Sequence, residues 1–291
     1  MAKKNLIIGA MTNYDFAQVR PWVRSINHCG FVGDKIMVVF NANYQTCDQL
    51  IEEGFKVIAV GKKDDVRGLL VHEKSKMPIH VERFLHIYEY LKDKWEDYEY
   101  VVTTDVKDVI FQHDPIRWME LNHIGKGFHQ KLVAGSEAIQ YKNEPWGNEN
   151  LMQTYGAYIH DIFKEKEIYN VGVLGGTAEY MKDLALHILV NGINRPIPIV
   201  DQAVFNVLIQ SQPFKDATLL ASQRRGWACQ AGTTVDPSKI ESFRPHLLEG
   251  EPVWNAEEGI VCTSEGIQFC IVHQYDRVPE WKKVIEARYA D

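Results

Sequence analysis

Two carboxylates follow a strongly apolar stretch near the middle of the chain. Asp105 and Asp108 come directly after residues 100–104, whose aromatic and β-branched side chains predict a strand, and a second apolar run at residues 109–111 follows them. A carboxylate placed beside apolar structure without a partner is energetically costly. The pair therefore indicates either a divalent-cation site or a strand-to-turn junction in which the aspartates bond to nearby backbone and basic groups.

Polar side chains recur at the carboxyl ends of other predicted strands. They are Thr12, Asn13, Tyr14, Asn170, the pair Asp201 and Gln202, and His273. Because the carboxyl ends of parallel strands meet at one rim of a sheet, we expect these groups to share a cleft. Asp105, Asp108 and His273 would form a three-ligand set that leaves positions open for phosphate oxygens. This mixture of oxygen and nitrogen ligands favours Mn²⁺ over Mg²⁺.

The elements that must position these groups alternate between strand-like and helix-like patterns. Strands are predicted at residues 6–10, 36–40, 55–60, 100–104, 169–176 and 269–273. Helices are predicted around residues 19–26, 48–53, 78–95, 179–190 and 280–288, with another that begins at Asp201 as its N-cap. The alternation predicts an α/β fold with a central, mainly parallel sheet flanked by helices.

The segment at residues 136–166 is polar, aromatic and rich in amides, and it shows no sustained period. We expect a long irregular insertion, which is either a binding loop or an ordinary surface excursion. Amides beside Trp and Tyr suit sugar hydroxyls and ring faces. Two tryptophans, Trp146 and Trp227, are expected to pack in the core or under a lid, although an exposed one near the site would instead be a candidate surface for a sugar.

Composition restricts the class of protein. The chain has 291 residues, of which 45% are hydrophobic and 24% are charged, as in a soluble globular protein. We expect a single domain that covers residues 1–291. The net charge of −7 at pH 7, with no basic cluster, argues against nucleic-acid binding.

Targeting signals are not expected either. The first residues lead straight into a predicted strand, so we expect no signal peptide, and no apolar run approaches the length of a membrane span. The five cysteines are scattered and lack C-x-x-C spacing, which is typical of reduced thiols. These features predict a cytoplasmic protein.

The order of the motifs resembles the GT-A fold of nucleotide-sugar glycosyltransferases, in particular the glycogenin and lipopolysaccharide galactosyltransferase type. The resemblance rests on the loop at residues 9–14, the Asn170-Val171-Gly172-Val173 strand, the Asp201-Gln202-Ala203-Val204-Phe205-Asn206 helix start and the late His273. The family's acidic motif is Asp-x-Asp, whereas this chain has Asp105-Val106-Lys107-Asp108. It therefore stays open which aspartate holds metal, and whether Lys107 replaces part of the metal's charge.

The resemblance implies a single GT-A-like, Rossmann-related domain, with a nucleotide-binding half at about residues 1–115 and an acceptor-side half at about residues 116–291. It implies transfer of a hexose or pentose from a nucleoside diphosphate sugar, most readily a UDP sugar, to a glycan or other hydroxyl acceptor. Mn²⁺ or Mg²⁺ would be the cofactor. The sequence does not predict the oligomeric state.

The resemblance also implies roles for individual residues. The donor-binding residues would be Thr12, Asn13, Tyr14, Arg83, Thr104, Asp105, Lys107, Asn170 and Gly172. Asp201 and Gln202 would face the sugar in a reaction that retains the anomeric configuration. The alternatives are an inverting enzyme with Asp201 or Glu137 as general base, a sugar nucleotidyltransferase, and a module that binds sugar or nucleotide without turnover.

Overall fold

Strands and helices alternate along the chain in the computed structural model, which describes residues 2–72 and 77–290. The strands are β1 (Lys4–Met11), β2 (Asp34–Val39), β3 (Ala42–Asn43), β4 (Lys56–Ala59), β5 (Lys62–Asp64), β6 (Leu69–Val71), β7 (Tyr98–Thr104), β8 (Val109–Phe111), β9 (Leu132–Gln140), β10 (Glu167–Thr177), β11 (Thr218–Ala221), β12 (Ala228–Gln230), β13 (Val253–Asn255), β14 (Ile260–Cys262) and β15 (Ile271–His273).

The helices flank the strands. They are α1 (Phe16–His28), α2 (Tyr44–Glu52), α3 (Ile79–Lys92), α4 (Pro115–Leu121), α5 (Pro145–Phe163), α6 (Ala178–Gly192), α7 (Asp201–Ile209), α8 (Phe214–Ala217), α9 (Ala231–Thr234), α10 (Ile240–Phe243) and α11 (Pro279–Arg288). Within the described ranges, no helix combines the length and apolar character needed to cross a lipid bilayer.

A central seven-stranded sheet, formed within the described residues, has the strand order β11-β9-β10-β7-β1-β2-β4. Neighbouring strands are parallel except at β10, which runs antiparallel to both β7 and β9. The predicted α/β class with a mainly parallel sheet is confirmed. Because β10 is reversed, its first half reaches the rim at which β1 and β7 end.

Different helices cover the two faces of this sheet. Ile7 of β1 packs in a buried cluster with Trp22 of α1, whereas its neighbours Leu6 and Ile8 pack in a second cluster with Phe84 of α3. Successive side chains of a strand point to opposite faces, so a strand covered on both sides is apolar throughout. The rim therefore rests on a core that fixes the ends of the strands.

A smaller sheet has the strand order β12-β15-β8. Its strand β8 follows β7 of the central sheet in the chain, after residues 105–108. Strands β8 and β15 are antiparallel, and their register pairs Val109 with His273. Ser25 of α1 anchors β8, because its Oγ accepts a hydrogen bond of 3.0 Å from the backbone N–H of Phe111. Asp108, which immediately precedes β8, is therefore held next to His273, although the two are far apart in the sequence.

The expectation of an irregular insertion at residues 136–166 is wrong. Strand β9 shows no alternation because nearly all of its side chains are buried, on both faces of the sheet. Helix α5 is interrupted at Gly156, where φ is 77°, so its period is broken. The excursion between β9 and β10 is closed at its base by hydrogen bonds from Tyr141 N to Lys166 O (3.0 Å) and from Lys142 N to Lys164 O (2.9 Å).

Gly9 of β1 lies against Val106, the residue that follows Asp105, and this contact can be tested by mutation. A Cβ added at Gly9 would lie 2.5 Å from Val106 Cγ1 and 2.9 Å from Trp22 Cζ2. We expect Gly9→Ala to lower the free energy of unfolding by about 1–3 kcal/mol, measured by urea denaturation, since both neighbours are buried. Val106→Ala removes the nearer methyl group, so the double variant should lose less than the sum of the single variants. Additive losses would contradict this packing.

Candidate functional site

Asp105, Asp108 and His273 meet at the rim of the central sheet. Asp105 follows β7, Asp108 precedes β8, and His273 ends β15. His273 Nε2 lies 3.5 Å from Asp105 Oδ2 and 3.8 Å from Asp108 Oδ1. The three possible ligand atoms lie within 4.8 Å of one another, and this cluster is the one such group of His, Cys, Asp and Glu within the described residues. The geometry can hold one metal ion.

The orientation of the imidazole also fits a metal. Gln230 Oε1 lies 2.8 Å from His273 Nδ1, and an amide oxygen can only accept a hydrogen bond. The proton of a neutral His273 is therefore on Nδ1, which leaves Nε2 free to bind a metal. A partner of this kind on the far nitrogen is usual for histidines that bind metal. Burial acts to lower the pKa of His273, but Asp105 and Asp108 outweigh it and raise that pKa, so a proton on Nε2 would compete with a metal ion for the same position.

Arg83 connects the metal-ligand cluster to a third carboxylate. Its Nη1 donates to Asp105 Oδ1, and its Nη2 donates to Asp201 Oδ2 at 2.8 Å. Burial acts to raise the pKa of Asp105, but the Arg83 guanidinium, helped by His273, outweighs it and holds that pKa well below its usual range. Burial raises the pKa of Asp108, and Asp105 adds to this effect while His273 opposes it. A cation at the cluster would therefore favour the charged form of Asp108 in particular, because burial and Asp105 disfavour it.

The prediction that Asp201 is the N-cap of its helix is wrong. Helix α7 begins at Asp201 itself, and Val200 occupies the N-cap position. The Asp201 side chain accepts a hydrogen bond from Arg83 at 2.8 Å, and it is almost completely buried. The carboxylate is thus held at the rim by Arg83 and does not cap the helix.

A second carboxylate cluster lies behind Asp201. Glu137 Oε1 accepts hydrogen bonds from Asn170 Nδ2 (2.8 Å) and Gln202 Nε2 (2.6 Å), and Glu137 Oε2 accepts one from Thr233 Oγ1 (2.7 Å). Asn170 Oδ1 in turn accepts from the backbone N–H of Gly172 at 2.7 Å. The side chains that were predicted as separate contacts therefore form one bonded network around Glu137.

Gly172 allows β10 to approach the metal-ligand cluster. Its carbonyl accepts a hydrogen bond of 2.9 Å from Asp105 N, and a Cβ at this position would lie 2.5 Å from His273 Cε1 and 2.9 Å from Asp105 Oδ2. The expectation that Asn170 lies at the carboxyl end of a strand is wrong. It lies near the amino end of β10, and it reaches the rim because that strand is reversed.

Two clefts open on either side of Arg83. The first cleft includes Thr12, Tyr14, Lys107, Asp108, Asp276 and Arg277, and the second cleft includes Glu137, Trp146, Asn170, Asp201, Gln202, Lys239 and His273. His80, Arg83 and Asp105 line both clefts. The candidate metal site thus lies where the two clefts meet.

The residues predicted to bind a nucleotide are partly gathered in the first cleft. Thr12 and Tyr14 line it, and the exposed Lys107 carries its Nζ to 5.9 Å from the centroid of the Tyr14 ring. Asn13 has a positive φ of 57° and lines an adjoining groove beside Asn41 instead. Asn41 Nδ2 donates to Thr12 Oγ1 at 3.2 Å. This hydrogen bond connects the groove that Asn41 lines with the first cleft, which Thr12 lines.

Thr104 lies in the core and not at a cleft. Its Oγ1 accepts a hydrogen bond of 2.7 Å from Trp22 Nε1, and the residue is buried. Alternate side chains of β7 face opposite sides of the sheet, and Thr104 faces α1. We therefore remove Thr104 from the predicted donor contacts.

Trp227 packs in the core, as expected, whereas Trp146 does not. Trp227 is fully buried and packs against Trp118, with ring centroids 4.9 Å apart. Trp146, however, is 51% exposed and lines the second cleft. Its position at the start of α5 was not recognised in the sequence because that helix was not predicted.

Sequence reasoning missed several residues of the site. Asp276 and Arg277 line the first cleft, and the polar run directly after the last predicted strand was the available signal. Gln230 and Thr233 lie in a stretch without a clear period, so no signal marked them. They bond to His273 and Glu137, respectively, because β12 pairs with β15 and brings them to the rim.

Comparison with known proteins supports the fold. The structure is similar to the apo structure of WbbM, a bifunctional glycosyltransferase, with a TM-score of 0.51 and 14% sequence identity over 100% of this chain and 52% of that chain. The chain thus spans about half the length of that protein. No protein-family model and no curated protein matches the sequence. The likeness shows a glycosyltransferase-like fold, whereas the predicted glycogenin type stays a prediction.

The contact at Gly172 generates a test of the metal site. We expect Gly172→Ala to displace His273 or Asp105 and to lower Mn²⁺ affinity at least tenfold, measured by electron paramagnetic resonance of free Mn²⁺. Gly175→Ala is the matched control on the same strand, because its Cβ would instead lie 2.9 Å from Trp227. That variant should lose stability but keep Mn²⁺ affinity. Equal Mn²⁺ affinity in both variants would argue against the site.

Proposed function

We propose that the protein is a glycosyltransferase that moves a sugar from a nucleoside diphosphate sugar, most readily a UDP sugar, to a hydroxyl acceptor. The observation that carries the proposal is the Asp105, Asp108 and His273 cluster at the junction of two clefts. A glycosyltransferase-like fold around such a cluster supports it. We also propose that the reaction depends on Mn²⁺ or Mg²⁺ and retains the anomeric configuration.

The first cleft suits the nucleotide. The Tyr14 ring offers a flat face for a base, and Thr12 offers a hydroxyl beside it. Lys107 and Arg277 bring positive charge to the same cleft, where they would attract a diphosphate. A divalent cation held by Asp105, Asp108 and His273 would neutralise the charge that builds on the departing diphosphate.

The second cleft suits the sugar and the acceptor. Asp201 is held by Arg83, so its carboxylate is fixed at the point where the clefts meet. There it would stabilise positive charge on the sugar ring during transfer. The remaining hydrogen-bonding capacity of Gln202 and Asn170 would bind sugar hydroxyls.

Glu137 is assigned a positioning role in this proposal. Both of its oxygens accept hydrogen bonds, from Asn170, Gln202 and Thr233, so it holds these side chains in place. In the alternative inverting reaction, Asp201 is therefore the better general base of the two carboxylates. The stereochemistry of the product distinguishes the two reactions.

Both halves of the chain contribute residues to the candidate metal site and to the first cleft. Residues 1–115 supply Asp105 and Asp108, but His273 and Asp276 come from residues 116–291. We propose one catalytic domain over residues 1–291 in which the nucleotide-binding half is completed by the end of the chain.

Nucleotide binding tests the proposed cofactor. Asp108→Asn should reduce Mn²⁺-dependent UDP affinity at least tenfold, measured by calorimetry, because one ligand loses its charge. Chelation of Mn²⁺ should weaken UDP binding to the wild type in the same way. Asp183→Asn, a change on α6 at a half-exposed carboxylate, is the matched control and should leave UDP affinity unchanged. Unaltered UDP affinity in Asp108→Asn would remove Asp108 from the metal shell.

Turnover tests the role of Asp201. After a screen of nucleotide sugars for metal-dependent hydrolysis identifies a donor, Asp201→Asn should lower kcat by about 10²–10³-fold, since it removes the charge opposite the reacting sugar. Donor affinity should change by less than about threefold, which is under 1 kcal/mol. If kcat and donor affinity fell equally, Asp201 would be a structural residue only.

A further inference from the structure

We propose that the outer part of the second cleft binds a saccharide acceptor, with one sugar ring placed against the exposed face of Trp146. This inference rests on the proposed function, because it assigns the acceptor class of the same site. By the outer part we mean the exposed lining residues Trp146, Ile199 and Lys239, together with the buried Glu144, which caps the helix that carries Trp146.

The exposed apolar surface in this part of the cleft comes from two elements. Trp146 of α5 is 51% exposed, and Ile199 of the loop before α7 is 40% exposed. Both line the cleft. Trp146 and Ile199 therefore give an otherwise polar cleft an apolar surface that is open to a ligand.

This surface is held rigidly before any ligand binds. Glu144 caps α5 by accepting a hydrogen bond from the backbone N–H of Gly147, which fixes the turn that carries Trp146. Asn150 Nδ2, one turn further along α5, donates to Ile199 O at 2.6 Å. The two apolar residues therefore keep a constant separation, which lowers the entropic cost of binding.

The chemistry of the cleft selects a sugar ring. A pyranose has an apolar C–H face and a rim of hydroxyl groups, and this cleft offers an apolar wall beside carboxylate and amide groups. A phosphorylated ligand fits poorly, because the carboxylates that line the cleft outnumber its cations, Arg83 and Lys239. Arg83, which also lines it, already donates to two carboxylates.

The position of Trp146 also suits an acceptor and not the donor. The second cleft shares Arg83 and Asp105 with the first cleft, and Trp146 lines the second cleft alone. Lys107 and Arg277, the cations proposed for the diphosphate, lie in the first cleft alone. A ring on Trp146 would therefore lie in the same cleft as Asp201 and apart from the cations proposed for the diphosphate.

Fluorine NMR of the full-length protein labelled with 5-fluorotryptophan tests the proposal. Trp146→Phe identifies the Trp146 signal by its loss. In the presence of UDP and Mn²⁺, methyl pyranosides of the common hexoses and N-acetylhexosamines, each added to about 100 mM, should shift this signal for at least one sugar, since weak binding in the millimolar range is then detected. The signal of the buried Trp227 should not move, and sorbitol, which has hydroxyls but no ring, should leave both signals unchanged.

The results that would contradict the acceptor inference differ from those that would contradict the proposed function. If no pyranoside shifts the Trp146 signal while UDP and Mn²⁺ bind normally by calorimetry, the acceptor inference is overturned and the proposed function stands. An equal shift with sorbitol would also overturn it, because ring recognition would be absent. If UDP does not bind with Mn²⁺, the proposed function itself fails.

Substitutions provide an independent measurement. Trp146→Ala should reduce saturation transfer to the bound pyranoside at least tenfold and leave Mn²⁺-dependent UDP affinity unchanged. Tyr158→Ala is the matched control, because Tyr158 lies on the same helix, is 79% exposed and belongs to neither cleft. It should leave both measurements unchanged. Loss of UDP binding in Trp146→Ala, or unchanged saturation transfer, would contradict the proposal.

Discussion

The site depends on how negative charge is compensated at the rim. Asp105, Asp108 and Asp201 are brought together in partly dehydrated surroundings, and carboxylates in such surroundings need a partner. Arg83 satisfies two of them with one planar guanidinium, and His273 lies beside Asp105 and Asp108. The remaining negative charge is the reason that the cluster suits a cation. The same pairing orients Asp201 without a metal, so the two proposed roles are linked through Arg83.

Backbone direction explains how distant segments meet. In a wholly parallel sheet the first half of β10 would lie at the opposite rim, and neither Asn170 nor Gly172 would reach Asp105. The reversal of β10 places them there, and the small β12-β15-β8 sheet supplies His273 from the other side. Both arrangements are fixed by strand pairing and not by flexible loops. The positions of the metal-ligand atoms are therefore set mainly by the fold itself, which is the condition for a preorganised site.

Much of this arrangement could be predicted from local patterns. The apolar run that ends at Asp105 identified β7, and the polar group after each predicted strand located most of the rim. Strand β9 could not be recognised, because burial on both faces removes the alternation by which an isolated strand is detected. Thr104 was misplaced because the sequence does not show which face of β7 meets α1. Gln230 was missed because its function follows from a pairing between distant strands, which no local period records.

The excursion between β9 and β10 has a consequence for diversification within this architecture. Its ends are joined by backbone hydrogen bonds at residues 141–142 and 164–166, and α5 within it also packs against α7 and donates from Asn150 Nδ2 to Ile199 O in the loop before α7. Substitutions in α5 that keep these contacts would leave the strand register and the candidate metal ligands in place. Variation on the cleft side of α5 would therefore alter the proposed acceptor surface without moving the groups proposed for the activated sugar.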